Sequence, residues 1–113
     1  MFAIIALLFT PLDELAEAQR LAPKYSAEVE VQLWDRSRCD LLSDEYAIEI
    51  DWASKPLKWA EAVGQSLYYA ELTGRKPAII LLVEDRERDM KNVYKCQTVC
   101  ARVGIRLFVE EIE

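Results

Sequence analysis

Histidine is absent from the sequence, which removes imidazole as a general base, a zinc ligand or a pH switch near neutrality. Triad hydrolases and most zinc enzymes are thereby excluded. Cysteine is scarce and odd in number: Cys39, Cys96 and Cys100 do not make a disulfide framework for a chain of 113 residues. Cys96 and Cys100 stand four apart on an expected helix, on the stripe of Val93, Val99 and Val103. They read as small core residues, with a metal-binding or redox thiol pair as the alternative.

Positive charge is in deficit. The 14 basic and 20 acidic side chains give a net charge of −6, which opposes broad attraction to a polyanion, so any nucleic acid must engage a local site. The apolar start, Met1 to Phe9, is too short to span a bilayer. It resembles the hydrophobic part of a secretory signal, and Ala16-Glu17-Ala18 offers small residues at cleavage-like spacing. No Lys or Arg precedes the run, however, and Asp13, Glu14 and Glu17 are unusual before a cleavage site. An export signal or anchor and an apolar segment kept in the fold both stay open. Repeats, low-complexity tracts and linkers are also missing. What remains, 52% hydrophobic and 30% charged, is the composition of one folded domain over residues 1–113.

The pattern along the chain predicts an α-β-β-β-α-β-α-β order in the α/β class, a mixed sheet flanked by helices. A first helix runs from Pro11 to about Leu21 and is closed by Pro23. Val29, Val31 and Leu33 alternate with Glu28, Glu30 and Gln32, giving a strand with one buried face. Turns near Asp35–Ser37 and at Ser43-Asp44-Glu45 separate it from strands at Arg38 to Leu42 and Tyr46 to Trp52, a predicted antiparallel meander. A helix over Lys55 to Thr73 places Trp59, Val63, Leu67 and Ala70 on its apolar arc and stops at Gly74. The continuous apolar run Pro77 to Val83 predicts a strand covered on both faces. The mixed-charge stretch Glu84 to Lys91 reads as a solvated loop and helix start, and that helix ends at Gly104 before a last strand, Ile105 to Val109.

Strand three carries the chemistry. Side chains alternate along a strand, so Ile48, Ile50 and Trp52 share one face while Ala47, Glu49 and Asp51 share the other. Two carboxylates thus leave an otherwise apolar strand together, and the meander can bring Asp40 beside Glu49. Acids gathered at such a junction are hard-oxygen ligands of the kind that hold Mg²⁺ or Mn²⁺. On the next helix Lys58, Gln65 and Tyr69 line one polar edge, set off from the apolar arc.

These residues resemble the PD-(D/E)xK nuclease superfamily, whose core has the order helix, three-strand meander, helix, strand. Asp40 is similar to that family's first acid, and Glu49-Ile50-Asp51 occupies its (D/E)xK element. Gln65-Ser-Leu-Tyr-Tyr69 resembles the Q-x-x-x-Y motif of a branch that includes recombination-repair nucleases. The wider strings Ala47-Ile-Glu-Ile-Asp-Trp52 and Lys58 to Ala70 look like small phage and bacterial members. The likeness covers Val29 to about Val83.

The resemblance implies a restriction-endonuclease-like fold and Mg²⁺- or Mn²⁺-dependent hydrolysis of DNA. Catalytic roles would fall to Asp40, Glu49, Lys58, Gln65 and Tyr69. The metal set would be Asp40, Glu49 and Asp51, joined by a first-helix glutamate for which Glu14 and Glu17 are candidates and Glu17 is the expectation. The Ile50 carbonyl would complete the shell. One departure stands out: Asp51 occupies the position of the motif lysine, and in some members that lysine is relocated to the next helix, where Lys58 stands. The alternative implied by the same departure is an inactive nuclease-fold binding or assembly module, such as a phage structural or accessory protein. Its partner would be a second copy or a phage protein; under either reading the location would be cytoplasmic or virion-associated, or exported by an N-terminal signal.

Overall fold

Short connections decide the pairing in the first half of the sheet, and helical crossovers decide it in the second. The computed structural model describes residues 12–112, so the apolar Met1 to Phe9 and the helix-opening Pro11 lie outside the described residues. Helix α1 spans Leu12–Tyr25, followed by β1 (Glu28–Gln32), β2 (Arg38–Leu42) and β3 (Tyr46–Trp52). Helix α2 (Pro56–Thr73), β4 (Lys76–Val83), α3 (Arg86–Val103) and β5 (Arg106–Glu111) complete the chain. The predicted order of elements is the observed one. Brief turns fold β1, β2 and β3 into antiparallel neighbours, whereas α2 and α3 carry the chain back to make β3–β4 and β4–β5 parallel. The result is a five-stranded mixed sheet in the order β1-β2-β3-β4-β5.

The sheet is covered on both faces. Ala18, Leu21 and Ala22 of α1 pack against Leu41, Ile48, Ile50, Ala78, Ile80 and Leu82. On the opposite face, Trp59 and Ala62 of α2 and Val93, Cys96 and Cys100 of α3 pack against Ile79, Leu81 and Val83. Strand β4 therefore feeds two cores with alternate side chains, which is why its sequence is apolar without alternation. Leu81 is fully buried, and Leu81→Ala is expected to lower the unfolding free energy by about 2–5 kcal/mol, measurable by urea denaturation. Among the described residues no helix is long and apolar enough to cross a membrane.

Several local expectations are corrected. Helix α1 passes through Pro23 and ends two residues later, where Ser26 takes a left-handed φ of 52°. The extra residues are held from outside the helix: Lys24 Nζ lies 2.6 Å from the Glu110 carboxylate, and Tyr25 donates its hydroxyl to the same group. Tyr25 also meets Phe108 edge-on, with ring centroids 5.0 Å apart. These contacts on β5 offset the backbone bond that Pro23 cannot make.

The buried stripe of α2 is Trp59, Ala62, Ser66, Tyr69 and Ala70, while Leu67 is 39% exposed. The helix is turned so that Tyr69 packs on Cys39 and Ala47. In α3 the buried stripe is Val93, Cys96 and Cys100, and Val99 and Val103 face outward. Nor is the start of α3 wholly solvated. Asp85 caps it by accepting from Arg88 N at 3.1 Å, and the buried Asp89 accepts from Glu84 N, Asp85 N and Arg88 Nε.

Candidate functional site

The β2–β3 ladder runs only from Leu42↔Ala47 to Leu41↔Ile48. Beyond it two carboxylates take over the backbone groups: Asp40 N donates to Glu49 Oε2 at 3.0 Å, and Ile50 N donates to Asp40 Oδ2 at 2.8 Å. The same irregularity reaches the neighbouring strand, where Glu30, in register between the Val29↔Leu41 and Val31↔Cys39 pairs, has a φ of +53°. A glutamate held there stores strain that surrounding structure must maintain. On β2, Cys39 and Leu41, two residues apart, serve opposite faces of the sheet: Leu41 packs towards α1 and Cys39 towards Tyr69. The irregularities of both strands lie at one level, and that level holds the acids.

A cavity of about 270 Å³ opens there. Asp40 from β2, Glu49, Ile50 and Asp51 from β3, and Lys58, Gln65 and Tyr69 from α2 all line it. The polar edge of α2 thus meets the acids at one space. Glu17 does not line it; Glu17 accepts from Arg20 Nε at 2.7 Å, and Glu14 supplies the α1 carboxylate to the cavity instead. Glu30, Arg38, Lys55 and Glu61 also line the wall and were not singled out in the sequence. Glu30 had a legible signal, because the turn between β1 and β2 sets it opposite Asp40. The other three had none beyond proximity in the chain.

Comparison with family models, with curated proteins and with solved structures finds no match to this chain. The chemistry of the cavity is therefore read from its own groups.

Six carboxylates line the wall, against three basic side chains, Arg38, Lys55 and Lys58. Burial pushes Asp40 up to about 7, with Glu30, Glu14 and Asp51 adding to the effect and the bond from Ile50 N opposing it. Glu49 is raised well above the usual carboxylate range, first by burial and then by Asp40. Glu14 rises to about 7 for the same two kinds of reason, burial and the charge of Asp51. Asp51 is raised by burial, restrained by the bond from Trp52 N and by Lys58 and Lys55. Burial, Glu49 and Asp40 together raise the Tyr69 phenol, which stays a protonated donor. The site is short of positive charge.

Among the described residues, no three acidic or thiol side chains are grouped so as to hold a metal ion between them. The donor chemistry nonetheless fits a hard divalent cation. Mg²⁺ commonly takes one or two protein carboxylates and fills its shell with water and phosphate oxygens, and Asp40 with Glu49 could supply such a pair. The bonds from Ile50 N to Asp40 and from Asp40 N to Glu49 hold both carboxylates in orientation.

Proposed function

We propose that this chain is a divalent-metal-dependent deoxyribonuclease of the PD-(D/E)xK type, with a restriction-endonuclease-like core formed by α1, β1–β3, α2 and β4. The observation that carries the reading is the convergence of Asp40, Glu49, Lys58, Gln65 and Tyr69, from three elements, on one cavity. Nothing in the periodicity of the chain required those five to meet.

Bound at Asp40 and Glu49, Mg²⁺ or Mn²⁺ would supply Lewis acidity and a water of lowered pKa. The chain's own groups divide the remaining work. Asp40 and Glu49 hold their positions through Ile50 N and Asp40 N, and their negative charge would repel phosphate until a cation offsets it. Lys58 opposes charge developing on the phosphoryl oxygens and orients the attacking water, the part played elsewhere by a lysine on the third strand. Asp51, in that strand position, has its upward shift opposed by Lys58. Gln65 and the protonated Tyr69 offer hydrogen bonds to the substrate or to Lys58.

Lys58→Ala is expected to lower Mg²⁺-dependent cleavage of DNA by about a hundredfold while leaving metal binding, followed by isothermal titration, nearly intact. A wild-type protein that cleaves no DNA form with Mg²⁺ or Mn²⁺ would overturn the proposal. The excess of acids in the wall and Asp51 in the lysine's place favour a second reading, a nuclease-fold assembly module without hydrolysis. That reading predicts a complex, with a second copy or a phage protein, that survives EDTA; a monomer cleaving DNA with Mg²⁺ rejects it.

A further inference from the structure

Trp34 is 79% exposed and belongs to none of the three apolar clusters. One exposed aromatic is unremarkable by itself, but the turn that carries this one is braced. Leu33 N donates to Ser37 O at 2.8 Å and Arg36 N to Leu33 O at 2.9 Å, with Arg36 at a φ of +74°. Asp35 accepts from Ser37 N and Ser37 Oγ on one oxygen and from the Tyr68 hydroxyl on the other. Leu33 packs against the cluster of Cys39, Ala47 and Tyr69. The turn is thus tied to α2 next to the cavity.

Tyr68 continues the aromatic surface. It is 50% exposed, and its ring centroid lies 5.7 Å from that of Tyr69, which lines the cavity. Arg38, at the end of the same turn, lines the cavity too, and Arg36 is exposed on it. One exposed ring on the turn, one on the helix to which Asp35 ties it, and two guanidiniums of the turn thus stand on elements that border the cavity.

We propose that Trp34 and Tyr68 form a stacking platform that delivers a single-stranded segment of DNA to the acidic cavity. The inference deepens the nuclease reading by naming its substrate form, and it rests on that reading for the role of the cavity. With a net charge of −6, tracking of a duplex backbone yields little affinity. Bases stacked on aromatic rings supply affinity that does not depend on net charge, and only unpaired bases expose their faces. Arg36 and Arg38 meet the phosphates on either side of the stacked bases.

The test uses fluorescence anisotropy of a labelled oligothymidylate in Ca²⁺ buffer, with cleavage followed separately on gels in Mg²⁺. Trp34→Ala and Tyr68→Ala are each expected to weaken binding about tenfold, with the same strand as a duplex bound weakly and indifferently to either change. Trp34→Phe and Tyr68→Phe, which keep a ring, should retain most of the affinity. Wild type and Trp34→Ala binding the single strand equally, or wild type not binding it, overturns the platform even if Mg²⁺-dependent cleavage is seen. Ring-dependent binding without any cleavage supports the platform and rejects the nuclease reading instead.

Discussion

In the Asp40→Asn protein, Mg²⁺-dependent cleavage of DNA is expected to fall at least a hundredfold to a thousandfold, roughly the scale of losing a main electrostatic element of a site, while the metal-free protein becomes more stable at pH 8. The two effects have one cause. Asp40 is a buried carboxylate raised to about 7 by desolvation and by Glu30, Glu14 and Asp51, so at pH 8 its charge opposes folding. An asparagine can still accept from Ile50 N, as Asp40 Oδ2 does at 2.8 Å, and it brings no charge. The stabilisation should be about 1–3 kcal/mol, visible as a rise of several degrees in Tm with EDTA present. Glu49→Gln should behave alike, since its amide oxygen can accept from Asp40 N. Full cleavage by either variant refutes the metal-ligand role. A lower Tm in both at pH 8 refutes the account of charge strain.

The second large effect is the pH dependence of the metal-free fold. Asp40 and Glu14 move from ordinary values of 3.8 and 4.5 to about 7 in the folded chain, and Glu49 and Asp51 are shifted in the same direction. Between about pH 4 and 7 the folded state therefore holds protons that the unfolded chain has released. Stability contributed by these groups is fully present below their unfolded pKa and is lost as pH rises through the folded values. Asp89 and Glu110 are shifted downward by their partners, so their contribution is lost only in more acidic solution. Metal-free stability should consequently be greatest near pH 5 and fall by a few kcal/mol, in order of magnitude, by pH 8. Urea titrations in EDTA from pH 4 to 8 measure it. Mg²⁺, by binding the charged carboxylates, should restore much of the loss at pH 8. A flat profile between pH 5 and 8 would mean that the acids are better solvated than their burial implies.

Much of the site was readable because strand periodicity is rigid. Once Tyr46 to Trp52 is a strand, Glu49 and Asp51 must share a face, and two short turns must bring β2 beside β3. The choice between Glu14 and Glu17 was not readable, since both lie on one side of α1 and the docking angle of the helix decides which reaches the cavity. Leu67 misled for a similar reason: it fits the apolar period of α2, yet the packing of Tyr69 on Cys39 and Ala47 turns Leu67 outward. Pro23 reads as a stop, but contacts with a strand 86 residues away, from Lys24 to Glu110, carry the helix past it.

Local chemistry, then, determined the order of elements, the two-faced β4, the absence of imidazole catalysis and the alternation that sends Glu49 and Asp51 the same way. Those properties follow from backbone geometry and side-chain type, which act within a few residues. The parting of β2 from β3, the positive φ of Glu30, the tying of the Asp35 turn to Tyr68 of α2 and the joining of six acids with three bases around one space came only with tertiary packing. They depend on how whole elements rotate and dock against one another, and the side chains that set those rotations lie far apart in the chain.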